Sequence, residues 1–133
     1  MRIADIEGIG PAYAAKLSNV GIRTTDALLK RGATAEGRKE IADTSGISHD
    51  LILEWVNLSD LYRIRGVGSE YSDLLEEAGV DTVVELSKRV PDNLFTKIIE
   101  VNKAKNLVNK VPSKKQISDW IDQAKKLPRV VSY

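Results

Sequence analysis

Apolar positions recur at helical spacing along almost the whole chain. Tyr13, Leu17 and Val20 fall at i, i+4 and i+7 and form one apolar stripe. Pro11 suits the start of that helix, where no backbone donor is needed, and Gly21 suits its end in the left-handed conformation. Thr24 reads as the N-cap of a short helix carrying Ala27, Leu28 and Leu29, stopped by Gly32. A further helix is predicted over Ala35 to Asp43, broken by Gly46. Ser48 caps a longer one that turns Ile52, Trp55, Val56 and Leu58 inward and runs towards Tyr62. Strand alternation is absent. The pattern predicts an all-α protein.

The pattern then repeats. Ile6-Glu7-Gly8-Ile9-Gly10 returns as Ile64-Arg65-Gly66-Val67-Gly68, 58 positions later. Tyr71, Leu75 and Ala78 stand where Tyr13, Leu17 and Val20 stood, Gly79-Val80 replaces Gly21-Ile22, and Thr82 replaces Thr24. Between residues 6–28 and 64–86, eight of 23 positions are identical. Glu85, three residues after Thr82, completes the sequence pattern of a capping box. Farther on, Ser48, Ile52, Trp55 and Val56 correspond to Ser113, Ile117, Trp120 and Ile121 at an offset of 65. The offset grows because a helix from about Asn93 to Asn109, bracketed by Pro91 and Pro112, reads as longer than its counterpart. The tryptophans sit mid-helix among aliphatic residues and are expected in the core. The stretch from Leu127 to Tyr133 is expected to be extended. The boundaries that follow are 1–58 for the first repeat and 59–133 for the second, with its longer basic helix and tail. The linkers are not rich in Gly, Ser or Pro, so the duplication is expected to form one compact body.

Composition narrows the chemistry. The 133 residues contain no cysteine, which excludes a disulfide scaffold, a zinc–thiolate site and a cysteine nucleophile. That usage, and an N-terminus that enters patterned sequence at once, fit a cytoplasmic protein. No apolar run approaches the roughly 20 residues that span a bilayer, so no membrane partner is expected. The single histidine, His49, opens a helix, and no nucleotide-binding glycine loop of the P-loop or Rossmann type is present. No cofactor or metal is expected, and the chain reads as non-enzymatic. Net charge is +1, so any phosphate partner must be met by a local patch rather than by the whole surface.

The Gly-hydrophobic-Gly turns are the first such place. Glycine allows a sharp turn with no side chain in the way, successive N–H groups form a concave donor set, and the next helix adds the positive end of its dipole. Gly8, Ile9 and Gly10, with Lys16 nearby and only Glu7 against it, form one candidate phosphate site. Arg65, Gly66, Val67 and Gly68 form the other. Ile9 and Val67 are expected to plug the core rather than touch a ligand. In this setting a hydrophobic residue, one residue, Gly-hydrophobic-Gly and a helix with a small residue four positions on (Ala14, Ser72) resembles the helix-hairpin-helix motif. Leu17, Gly21-Ile22, Thr24 and Leu28, and again Leu75, Gly79-Val80, Thr82 and Leu86, resemble its SAM-like version. The whole chain resembles a family of stand-alone tandem helix-hairpin-helix proteins described only as a domain of unknown function. The resemblance implies a SAM-domain-like duplication and DNA binding without sequence preference. DNA-binding members often carry a basic residue two positions after the second glycine. Here those positions hold Ala12 and Glu70.

Charge separates the two turns. Residues 69–85 hold six acids and no Lys or Arg, which disfavours phosphate at the second turn. Residues 88–115 hold Lys88, Arg89, Lys97, Lys103, Lys105, Lys110, Lys114 and Lys115 against Asp92 and Glu100. Lys103 and Lys110, seven apart, are expected to share a helix face, with Lys97 and Lys105 pointing elsewhere. Such a run is either a solvated face or an electrostatic footprint for a nucleic acid backbone or an acidic protein. The expected function is sequence-tolerant, salt-sensitive binding of DNA or other nucleic acid. The rival is a protein-interaction module that kept the fold and lost those contacts. The acidic and basic stretches make the chain dipolar, which fits a monomer or a weak dimer.

Overall fold

Hydroxyl side chains start most of the helices. In the computed structural model, which describes residues 1–6 and 8–133, eight helices follow a short 3₁₀ turn at Ile3–Asp5. They are α1 (Gly10–Asn19), α2 (Thr25–Arg31), α3 (Ala35–Ser45), α4 (His49–Leu61), α5 (Ser69–Glu77), α6 (Val83–Ser87), α7 (Pro91–Lys105) and α8 (Lys114–Lys126). Thr24, Thr34, Ser48, Thr82 and Ser113 each accept a backbone N–H three residues on, at 3.0–3.3 Å. Among the described residues no strand forms; one isolated backbone bridge joins Arg2 and Thr24. The chain divides into two compact units, residues 1–60 with 129–133, and residues 61–128.

The first unit closes around Leu17, Ile22, Leu28, Ile41, Ile52 and Trp55, all at most 2% exposed. Tyr13 meets Trp55 edge-on, with ring centroids 5.2 Å apart. After Asn19 the chain ends α1 in a Schellman motif: Gly21, at φ +88°, donates to Ser18 O (3.0 Å), and Ile22 donates to Leu17 O (2.9 Å). Arg31 then bonds the carbonyl of Val20. Before α1, Ile3 N–H donates to Arg23 O (3.0 Å) and Thr25 N–H to Met1 O (2.9 Å), which ties the first residues to the start of α2.

Residues 129–133 are part of this compact unit. Val131 is 4% exposed, Ser132 N–H donates to Ala33 O (2.8 Å), and Tyr133 OH donates to Asn57 Oδ1 (2.7 Å). Arg38 organises that contact. Only 2% exposed, it donates to Gly32 O (2.8 Å), Ala33 O (3.2 Å) and Ser132 O (2.8 Å), and its guanidinium lies 5.6 Å from the Tyr133 ring centroid. Two of these acceptors lie at the carbonyl end of α2, where the helix dipole favours a cation.

The second unit builds the same local devices. Leu74, Leu75, Val80, Leu86, Ile98, Ile117 and Trp120 form its core, and Tyr71 lies 5.3 Å from Trp120 between centroids. Gly79 (φ +94°) donates to Glu76 O (3.0 Å) and Val80 to Leu75 O (2.8 Å), a second Schellman motif. Arg89, which stands 58 positions after Arg31, donates to Gly79 O (3.0 Å).

Three details differ from the sequence reading. Thr82 receives the Glu85 N–H, but the Glu85 carboxylate accepts from Arg89 Nε (3.1 Å), so the reciprocal half of that capping box is not made. The full box lies at Ser113 and Gln116, where Ser113 N–H donates to Gln116 Oε1 (2.9 Å). The helix expected over 93–109 is α7, and it stops at Lys105 because Asn106 takes a left-handed conformation (φ 51°, ψ 51°). The larger offset in the second half is shared between α7, four residues longer than α3, and the connection over residues 106–113, five longer than that over 46–48, less two because α7 starts earlier.

Candidate nucleic-acid interface

The two glycine turns are not equivalent once built. In both, the first glycine is left-handed, Gly8 at φ +89° and Gly66 at φ +95°. The second differs: Gly10 is at φ +67°, whereas Gly68 is extended at φ −100°, ψ −168°. The hydrophobic residue between them is buried in both, Ile9 to 2% and Val67 to 5% exposure. Their N–H groups also turn inward, Ile9 to Ile6 O (3.3 Å) and Val67 to Ile64 O (3.2 Å). Ile9 and Val67 therefore plug the core as expected, and neither presents a donor to a phosphate. The expected run of successive outward N–H groups is interrupted at its centre.

What covers each turn differs more. At the first, the outer face is open: among the described residues no atom beyond the chain neighbours lies within 4 Å of where a Cβ would stand on Gly8 or Gly10. Among the described residues no side chain caps the start of α1, nor that of α5. At the second, a Cβ on Gly66 would lie 3.0 Å from Trp120 Nε1. Gln123 of α8 donates from Nε2 to Arg65 O (3.1 Å) and accepts the Arg65 N–H at Oε1 (2.8 Å). Helix α8 thus takes over the backbone of the second turn, leaving Gly68 as its open residue. At the offset of 65 Gln123 stands where the first half has Leu58, which carries no amide. That departure from the repeat was the available signal, and reading apolar matches alone misses it. Glu7, the acid named beside the first turn, lies outside the described residues.

Lys16 does not flank the first turn. It lies in the last turn of α1, roughly 9 Å along the axis from Gly10 at 1.5 Å per residue. Its ammonium instead stands 5.7 Å from the Tyr13 ring centroid.

The basic stretch is in the second unit, which carries twelve Lys and Arg against ten Asp and Glu; the first unit carries eight against nine. Lys105 is paired with Glu77, and Lys114 with Asp92 at 3.3 Å. Lys97, Lys103, Lys110 and Lys115 are exposed and make no ion pair within 4 Å among the described residues. Lys103 and Lys110 do not share a helix face, because Lys110 stands beyond the end of α7, where its carbonyl accepts from Tyr71 OH (3.0 Å). Lys114 and Lys115 occupy the first turn of α8, which has no acid. A cation there opposes the helix dipole, by about 0.3–1 kcal/mol in the usual exposed case. These two lysines are placed against local stability.

A groove of about 550 Å³ runs between α7 and the connection over 106–113, lined by Phe95, Ile99, Lys103, Asn106, Val111 and Pro112 among others. A neighbouring groove of about 680 Å³ includes Lys114 and Lys115, but also Asp92, Asp119 and Asp122. Among the described residues no group of three or more His, Cys, Asp or Glu is placed to hold a metal ion, and no helix is long and apolar enough to cross a membrane.

Residues 7–127 match the family described as Domain of unknown function (DUF4332), and the chain belongs to that family. No curated protein and no solved structure matches it.

Proposed function

Given that family and the open first turn, we propose that the chain is a tandem helix-hairpin-helix protein that binds nucleic acid backbone without sequence preference. The observation that carries the reading is the contrast between the turns. Gly8 and Gly10 leave a left-handed backbone open before α1, whereas the backbone of the second turn at Arg65 and Gly66 is met by Gln123 and Trp120. The first turn is the phosphate contact of the pair. Lys97, Lys103, Lys110 and Lys115, with Lys114 at the start of α8, supply the electrostatic footprint. Such contacts ignore base identity and weaken with salt. The activity is binding alone, with no catalysis and no cofactor.

Fluorescence anisotropy with labelled oligonucleotides at low salt tests this. No binding at about 100 μM protein would sink it, since non-specific affinities fall at 10⁻⁴–10⁻⁶ M. Ala12→Glu separates binding from folding. Ala12 is exposed in the first turn of α1, where an acid favours the helix dipole, so the fold should hold. Affinity should fall about fivefold, the factor for about 1 kcal/mol between unit charges 4 Å apart in water. Glu70→Ala at the occupied turn should leave affinity unchanged.

The closure of the second turn, followed by six acids, favours a second reading: a protein-interaction module that kept the fold. A stable protein partner in pull-downs, with no nucleic acid released by salt, would favour it.

A further inference from the structure

The groove beside α7 carries the binding reading to a substrate class. Its walls are fixed before any ligand arrives. Asn106 turns the chain out of α7, and the Asn102 side chain then clamps it, donating to Val108 O (3.1 Å) and accepting the Val108 N–H (3.0 Å). Tyr71 OH holds Lys110 O, and Pro112 is buried. Phe95 and Ile99 are half-buried and leave apolar surface within the groove, opposite Val111 and Pro112. Among the described residues no carboxylate lines it. Lys103 does, Lys110 flanks Val111, and Lys114 stands 5.7 Å from the Phe95 ring centroid.

Resting on the reading above, we infer that this groove binds single-stranded nucleic acid, with a base on Phe95 and Ile99 and the backbone along Lys103 and Lys110. The base and the phosphate of a nucleotide each find a match. The base has an apolar π-face for Phe95 and edge donors and acceptors for the Asn106 amide, and the phosphate meets the lysines. A paired base in a duplex does not offer its face. An acidic peptide would satisfy the lysines but would bring carboxylates, not flat apolar faces, against Phe95 and Ile99. The neighbouring groove, with three aspartates, does not suit a polyanion.

The test compares three labelled probes at low salt: a short oligothymidylate, an abasic sugar-phosphate strand of equal length, and a duplex of equal length. The oligothymidylate should bind at least about fivefold tighter than either of the others, the low end for one stacked base. Phe95→Ala should bring it down to the abasic level without changing abasic binding. Phe95→Leu, which keeps an apolar side chain in the core edge, should lose most of the preference with the helical circular dichroism intact. Lys103→Ala should weaken all three probes alike. Equal binding of the thymidylate and abasic strands, or an unaltered preference in Phe95→Leu, overturns the inference while leaving backbone binding standing. Displacement of the thymidylate by polyglutamate at equal charge concentration overturns it in favour of an acidic peptide. Failure of every nucleic acid probe to bind defeats both readings.

Discussion

Placing alanine at Gly8 and at Gly66 measures how differently the two turns are used. Both glycines are left-handed, at φ +89° and +95°, so an L side chain costs about 1–2 kcal/mol at either. Both substitutions also lower the entropy of the unfolded chain by a similar amount, which offsets about 0.4–1 kcal/mol of that. The difference lies in what the new Cβ meets. On Gly8 it meets no described atom within 4 Å; on Gly66 it lies 3.0 Å from Trp120 Nε1. Trp120 is 2% exposed and held against Tyr71, so it has little room to yield. Overpacking of a filled core usually costs about 1–3 kcal/mol. Gly66→Ala should therefore be less stable than Gly8→Ala by about that amount. Each unit holds one tryptophan, Trp55 in the first and Trp120 in the second, so each can be followed alone. Guanidinium unfolding of Gly66→Ala in a Trp55→Phe background reads the second unit, and Gly8→Ala in a Trp120→Phe background reads the first, each against its own parent. If the two costs agree within about 0.5 kcal/mol, the indole is not a rigid seat for the second turn, and the asymmetry drawn between the turns is wrong.

Further outcomes follow from three arginines and the segment that one of them holds. Arg38→Ala removes a buried cation together with its three carbonyl bonds and should destabilise the first unit by about 1.5–3 kcal/mol, the scale of a hydrogen bond to a charged group, read by Trp55 fluorescence. Deleting residues 129–133 should cost clearly less in that background than in the parent, because Arg38 is one of the main holds on them; equal costs would deny the coupling. Arg31→Ala and Arg89→Ala each uncap a Schellman end and should cost about 1 kcal/mol in thermal unfolding. Arg89→Ala should cost more, since Arg89 also holds Glu85, and the reverse order would argue against the capping role.

Much of the fold was legible because it rests on local rules. Left-handed glycines after α1 and α5, hydroxyl caps at Thr24 and Thr82, and inward tryptophans are each specified within a few residues. The misses come from competition between local and distant partners. Glu85 satisfies a capping-box pattern, yet Arg89 one helical turn on offers a charge and takes the carboxylate. Asn106 is tolerated mid-helix by pattern but is also the residue, after glycine, most at ease in the left-handed region, and it ends α7 early. The candidate site was the less legible part. Its glycines were visible, but Gln123 reaches Arg65 across 58 positions, and periodicity carries no trace of that. The groove at Phe95 was invisible because it depends on where α7 stops. Arg38 reads as a surface residue until residues 129–133 cover it.

That covering segment bears on how the protein is made. Val131 and Ser132 complete the first unit, yet the contact from Arg38 to Ser132 spans 94 positions with the entire second unit between. During synthesis residues 1–60 emerge early and must wait, with Arg38 short of one acceptor and the seat of Val131 exposed to solvent. The second unit, contiguous from 61 to 128, can finish first. Order of emergence and order of completion are thus reversed in this chain. The first unit closes through a non-local contact, and a translational pause before residue 129 acts on the half of the molecule that was made first.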